Sequence, residues 1–256
     1  YLRMPRIRLV LQYDGSGYHG FQKQENAITV QEVLETAIKN LSKEKTSIVC
    51  AGRTEAGVHA TGQVVAFDST AAIPGERWKM ALNSFLPGDI QVLESSTVHP
   101  DFNPRFDAVS KKYVYQIYRQ ERGSIFHRNY ALCLSSDLNI EAMKKAGQIL
   151  IGRHNFMAFC ARGSSAKNFE RTITDLSFGE KGPILYMSIE ADGFLYNMVR
   201  IIMGTLLEVG RGKYDPGWVG DVVASRDRTN AGLTAPPQGL YLVRVTYPEE
   251  KLKPGP

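Results

Sequence analysis

The sequence predicts an α+β fold in two halves, each built on a largely antiparallel sheet. Strand-period and helix-period segments are mixed along the chain rather than alternating regularly, and some adjacent strands are joined by tight turns as hairpins. The order of elements also recurs after a proline-interrupted stretch near residue 100, although the sequence itself does not repeat. At 256 residues, with 43% hydrophobic and 22% charged residues, the chain has room for two ordinary globular domains.

The first half opens with Ile7, Leu9 and Leu11 alternating with Arg8, Val10 and Gln12, a strand that ends at the turn Asp14-Gly15-Ser16-Gly17. Thr29-Val30-Gln31-Glu32 has the form of a capping box, and Val30, Val33, Leu34, Ala37, Ile38 and Leu41 follow at helical spacing. Ile48 to Cys50 reads as a short buried strand and Gln63 to Phe67 as another. Between them lie Gly52, Gly57 and Gly62, where backbone can approach a ligand closely. A short helix over Arg77 to Asn83, stopped near Leu86-Pro87-Gly88, and a strand over Ile90 to Val98 complete this half. His99 to Arg105 carries two prolines and few apolar residues, so the domain boundary is expected there, giving 1–104 and 105–256.

In the second half Lys112 to Tyr118 is a strand with Tyr113, Tyr115 and Ile117 on one face. Ile140 to Leu150 is a helix capped by Asn139. Arg171 to Phe178 and Ile184 to Ala191 form a hairpin around Gly179-Glu180-Lys181-Gly182-Pro183. Asn197 to Val209 is apolar on nearly all sides, as a buried helix is, and Gly210 ends it. Pro216 to Ser225 is helical and Leu240 to Tyr247 is a last strand.

The formal charge of +5 and pI near 9.0 favour acidic partners such as nucleic acid. Three widely spaced cysteines without a Cys-x-x-Cys pair argue against a disulfide framework or zinc site. They point to buried free thiols in a reducing cytoplasm. No apolar run approaches the roughly 20 residues of a membrane span. The opening Tyr1-Leu2-Arg3-Met4-Pro5 has no apolar signal core, and Met4 is the expected start, with residues 1–3 as additions.

Four features bear on chemistry. Arg53-Thr54-Glu55 lies in a glycine-framed loop after a strand, and reads either as a local ion pair or as a carboxylate nucleophile or base beside a phosphate-binding arginine. His59 follows four residues later, with no Ser or Cys nucleophile or second histidine at ligand spacing, and so reads as structural. Lys111-Lys112-Tyr113-Val114-Tyr115 interleaves cations with aromatic faces. Such a strand contacts RNA phosphates and stacks on unpaired bases, or else simply buries its tyrosines and solvates its lysines. Arg200 sits amid Met198, Val199, Ile201, Ile202 and Met203, where an arginine is expected to need a carboxylate or phosphate partner.

Across residues 6–248 the chain resembles the TruA family of tRNA pseudouridine synthases. The resemblance is carried by Tyr13 to Gln22, Thr29-Val30-Gln31, Gly52 to Ala60, Leu86 to Asp89, Phe102 to Phe106, Lys112 to Tyr115, Met198-Val199-Arg200 and Gly239 to Leu242, in the family's order. It implies two α+β halves joined across a central basic, RNA-binding cleft, and a homodimer. The implied activity is uridine isomerisation in the anticodon arm of tRNA, at family positions 38–40, with neither cofactor nor metal. By position, Glu55 takes the nucleophile's place, Tyr113 the tyrosine that stacks on the flipped uracil, and Arg200 the arginine that pairs with the nucleophilic carboxylate. Arg53 takes the loop arginine that contacts RNA, and Lys111 and Lys112 accompany Tyr113 on its strand. Two departures stand out: Phe21 replaces the usual tryptophan, and Glu55 replaces the family's aspartate. The second implies reduced or absent activity, because it moves the carboxylate outward by about 1.5 Å, and a misplacement of about 1 Å can cost roughly a hundredfold in rate. Two other readings compete. A non-catalytic tRNA binder or folding protein of the same fold retains the basic surface alone. A carboxylate-pair glycosidase would need a second acid roughly 5–10 Å from Glu55, with Asp14 and Asp68 nearest in sequence.

Overall fold

The computed structural model describes residues 4–120, 124–135 and 137–255, so residues 1–3 of the expected added start lie outside the described part. The fold is mixed α+β, and the chain divides into two compact units. The first comprises residues 1–110 together with 242–256, and the second 111–241. The division at 110, and the return of the C-terminal residues to the first unit, differ from the expected 1–104 and 105–256.

In the first unit β1 (Arg6–Tyr13) alternates strictly between buried and half-buried residues, with Ile7, Leu9, Leu11 and Tyr13 inward, as its period-two pattern requires. It is flanked antiparallel by β3 (His59–Asp68) and β4 (Ile90–Val98). The short β2 (Val49–Cys50) adds antiparallel to β3, and β10 (Leu240–Thr246) lies on the other side of β3. The expectation of a wholly buried strand at Ile48 to Cys50 is corrected. Only Ile48 is buried, while Val49 is exposed because β2 pairs on one side only and turns one face outward. Helix α1 (Val30–Ser42) begins at Thr29, whose hydroxyl accepts the Glu32 amide at 3.3 Å, and buries Val30, Leu34, Ala37 and Ile38. Helix α2 (Trp78–Asn83) packs Trp78 edge-on against Phe67, with ring centroids 5.0 Å apart. A core cluster of Ala51, Val64, Ala66, Val98, Phe102 and Tyr247 underlies the start of the 52–58 loop.

The second unit carries the antiparallel run β5 (Ser110–Arg119), β9 (Ile184–Ala191), β8 (Glu170–Lys181) and β7 (Gly152–Asn155). A short β6 (Leu132–Leu134) lies parallel to β5. The pattern did not predict β6 or β7, because three or four residues are too few to display a period. α3 (Ile140–Ile149), capped by Asn139, lies against β8, and α4 (Met198–Gly210) packs on α3. α4 buries eleven of its residues, which explains why it is apolar all round. α5 (Trp218–Ser225) follows, with Tyr214 stacked on Trp218 at 3.8 Å. All three cysteines are free. Cys160 is buried, but Cys50 and Cys133 are only half-buried, which corrects the expectation that all three are buried.

Candidate active site

The loop between β2 and β3 carries Arg53 exposed, Thr54 buried and Glu55 half-buried, then turns back as the Val58 amide donates to the Glu55 carbonyl at 3.1 Å. Its backbone is fixed by the segment following β1. The Phe21 amide donates to the Thr54 carbonyl at 3.0 Å. Gly20, at φ +88°, lies so close that a Cβ there would meet the same carbonyl oxygen at 2.8 Å. Gly15 is equally constrained, since a Cβ would come within 2.0 Å of the Val58 oxygen. The glycines of the opening motif are therefore sites of close backbone approach to the Glu55 loop.

Side chains lock the same loop from beneath. The Tyr13 and Thr54 hydroxyls share a 2.7 Å hydrogen bond. Buried Gln63 donates through Nε2 to the Gly52 carbonyl at 2.8 Å and to the Tyr13 hydroxyl at 3.4 Å. Burial pushes the Tyr13 phenol far above its ordinary range, partly opposed by its bonds to Thr54 and Gln63, so it stays protonated. His59 is buried, and its Nδ1 accepts the Gly15 amide at 3.0 Å while lying 3.2 Å from Asp14 Oδ1. It braces the motif, as its structural reading anticipated. The Leu86 to Asp89 motif serves the same frame: the Asp14 amide donates to the Asp89 carbonyl at 2.9 Å, and the Tyr18 hydroxyl to Asp89 Oδ1 at 2.7 Å. Sequence reasoning did not assign Gln63 or Thr54 a part. For Gln63 the available signal was a polar side chain at an inward position of an apolar strand.

In the second unit Tyr113 is buried on β5 and meets Phe194 edge-on, centroids 5.1 Å apart. The strand's alternation puts Lys111 on the face of Tyr113 and Lys112 on the other, opposite Glu190 of β9. Arg200, in the first turn of α4, is half-buried. It donates through Nε to the Ala235 carbonyl at 2.7 Å and through Nη1 to Asn197 Oδ1 at 3.0 Å. Both acceptors are neutral, a backbone carbonyl and a side-chain amide, and they fix the guanidinium through Nε and Nη1. Asn197 adopts the left-handed conformation, φ 59°, which asparagine tolerates, and so turns its amide back to Arg200.

The segment that holds Arg200 is itself clamped. A Cβ at Gly204 would lie 1.6 Å from the Leu233 carbonyl oxygen, and the Gly232 amide donates to Thr205 Oγ1 at 3.0 Å. The Ala235 amide returns a 3.0 Å bond to the Arg200 carbonyl, and the Tyr115 hydroxyl donates to the Pro236 carbonyl at 2.7 Å. Burial drives the Tyr115 phenol upward, partly opposed by the Arg200 charge. Thus Arg53 and Glu55 belong to one unit, and Tyr113, Arg200, Lys111 and Lys112 to the other. Among the described residues, no group of three or more His, Cys, Asp or Glu side chains is placed to hold a metal.

The loop of the first unit carries Arg53 and Glu55, and the second unit carries Tyr113, Lys111, Lys112 and Arg200. A family profile described as tRNA pseudouridine synthase matches residues 9–107 and 146–248. A tRNA pseudouridine synthase A of Syntrophomonas wolfei is 63% identical over 247 residues, covering 96% of this chain and 99% of that protein. Proteins of the same name from Acetivibrio thermocellus and Bacillus subtilis are 48% and 44% identical, covering 95% and 94% of this chain and 100% and 99% of theirs. On this likeness, which spans both units and nearly the whole length, the chain belongs to the tRNA pseudouridine synthase family.

Proposed function

We propose that the chain binds the anticodon arm of tRNA and is built to convert uridine to pseudouridine at family positions 38–40, with Glu55 in the nucleophile's place. The reaction is an isomerisation. The N1–C1′ bond breaks, the uracil turns, a C5–C1′ bond forms, the C5 proton leaves to solvent, and N1 ends protonated. Taking the base out of its stack costs a few kcal/mol. Tyr113 offers the aromatic face that offsets this cost, Arg53 and Lys111 offer charges for the backbone, and Arg200 offers a guanidinium to the carboxylate. Lys112, opposite Glu190, contributes more weakly to the backbone contacts. Resemblance to the family implies action in the cytoplasm as a homodimer without cofactor, and sedimentation at low micromolar concentration tests the dimer directly. Among the described residues, no helix is long and apolar enough to cross a membrane.

The observation that carries the reading of Glu55 is the fixed backbone of its loop, bonded at Thr54 and close-packed at Gly20. A loop so held cannot retreat to absorb an added methylene, so the carboxylate is displaced by about 1.5 Å and the chemical step is slowed roughly a hundredfold. Single-turnover tritium release from tRNA labelled at uridine C5, run beside Glu55→Asp, tests this. A much faster Glu55→Asp protein is expected, and equal fast rates would sink the impaired-catalysis reading. Binding without pseudouridine formation in either protein would support the non-catalytic tRNA binder. The glycosidase reading would place a second acid roughly 5–10 Å from Glu55; of its two candidates, Asp68 accepts Arg6 Nη1 at 2.8 and 2.9 Å, and Asp14 Oδ1 accepts the Ser16 amide at 2.9 Å.

A further inference from the structure

A concavity of about 420 Å³ in the second unit lies between the loop that follows β7 and the turn that follows α5, lined among others by Met157, Arg162, Ser164, Phe169, Arg226 and Arg228. It gathers three guanidinium groups against one carboxylate, Asp227. That carboxylate is already engaged. Its Oδ1 accepts the Thr229 amide at 2.9 Å and the Thr229 hydroxyl at 2.8 Å, capping the turn Arg228–Asn230. Those bonds, with the nearby Arg162 charge, hold it below the usual carboxylate range. Arg228 is half-buried and, among the described residues, donates to neutral oxygens, Nη2 to Thr234 Oγ1 at 3.1 Å and Nη1 weakly to the Ala231 carbonyl at 3.5 Å. Arg226 is set at the helix end in the left-handed conformation, φ 53°, and both it and Arg162 are exposed. Three cations around a hollow, faced there by the single ionised carboxylate of Asp227, leave a net positive field.

We propose that this arginine pocket binds a backbone phosphate of tRNA, in addition to any held by Arg53. The inference rests on the reading of the chain as a tRNA-binding protein. Guanidinium groups take phosphate through paired donors, and a hollow with two of its three arginines in solvent suits a chain passing across it better than an enclosed small anion. The position has a consequence for Arg200. Arg228 is anchored on Ala231 and Thr234, and Arg200 on Ala235, so one five-residue segment holds both arginines. The segment 231–235 thus links the proposed phosphate site to the carbonyl that holds Arg200.

The test uses fluorescence anisotropy of labelled unmodified tRNA across a monovalent salt series. It compares the wild-type chain, Arg162→Gln with Arg226→Gln, and a charge-matched control, Lys144→Gln with Lys145→Gln on the exposed face of α3. The arginine pair is expected to weaken binding about tenfold near physiological salt and to reduce the log–log salt slope by roughly 1 to 2, as loss of one or two phosphate contacts does. The control is expected to stay within about twofold of wild type, since no phosphate contact is lost. Both arginines are exposed, and the single Arg162→Gln change, expected to show part of the effect, covers the case of a poorly folding pair. Unchanged affinity and slope in a folded arginine pair would overturn this inference and leave the tRNA reading standing. Equal weakening by the lysine pair would reduce the pocket to general charge and overturn it as well. A wild-type chain that fails to bind tRNA would overturn both readings. Inorganic phosphate that raises Tm only when the arginines are present, with tRNA affinity unaltered by their loss, would reassign the pocket to free phosphate.

Discussion

The hydroxyl of Tyr13 joins Thr54 to Gln63, and this buried polar chain is what fixes Glu55 from below. Tyr13→Phe removes the hydroxyl and leaves its partners buried. The expected loss is about 1–3 kcal/mol by denaturant unfolding, together with faster amide exchange across residues 52–58. An unchanged midpoint would show that the chain of bonds contributes nothing net. At Arg200 the guanidinium spans two acceptors that a lysine ammonium cannot meet in the same plane. Arg200→Lys is accordingly expected to speed amide exchange at Ala235 and to lower the single-turnover rate of the Glu55→Asp protein at least tenfold, about 1.4 kcal/mol. Of these residues, Glu55, Arg53 and Arg200 were legible in the sequence through charge in a glycine-framed loop and charge in an apolar helix. Thr54 and Gln63 were not, because their bonding partners lie far along the chain; nor was Asn197, whose bond to nearby Arg200 depends on a left-handed backbone rather than on spacing alone.

At the scale of elements, α4 is decided by what it packs against. Gly204→Ala places a methyl group 1.6 Å from the Leu233 carbonyl oxygen as the backbone now stands, so the segment 231–235 must move. The expected loss is about 3 kcal/mol, at the upper end of overpacking, and is read as a fall in Tm. Gly220 of α5 is the matched comparison. A Cβ there meets nothing closer than Ile149 at 3.7 Å, so Gly220→Ala is expected to be neutral or stabilising by up to about 1 kcal/mol. If the two substitutions behave alike, close approach at Gly204 is not what matters. The helices and long strands were readable from periodicity and caps, as Thr29 and Asn139 illustrate. β6 and β7 were not, since three or four residues paired to a distant strand owe their conformation to that partner.

For the whole molecule, Tyr13, Tyr18, Tyr115 and Tyr247 are all buried, and burial is the first cause raising each phenol above its ordinary value of 10.0. A folded value above the unfolded one gives stability that is complete below the unfolded pKa and declines as pH rises beyond it, because the unfolded chain releases the proton first. Alkaline unfolding is therefore expected to begin above about pH 10, with phenolate absorbance and loss of far-UV circular dichroism rising together. Phenolate absorbance appearing fully in the folded protein would contradict the burial of these rings. Glu44, held by Ser69 and Thr70, has the opposite sign: its bonds keep the carboxyl below the ordinary range, and its contribution fades as acidification passes through it.

The sequence by itself determined the α+β class, the main helices and strands, and the family, because periodicity, caps and motif order are properties of neighbouring residues. It also placed the carboxylate of Glu55 in a glycine-framed loop. Only the tertiary structure decided that Gly15 and Gly20 press on that loop, that Arg200 is met by a carbonyl and an amide, and that residues 242–256 return to the first unit. Apart from the local bond between Asn197 and Arg200, these depend on atoms brought together from distant parts of the chain, where close approach and hydrogen-bond geometry, rather than local pattern, set the outcome.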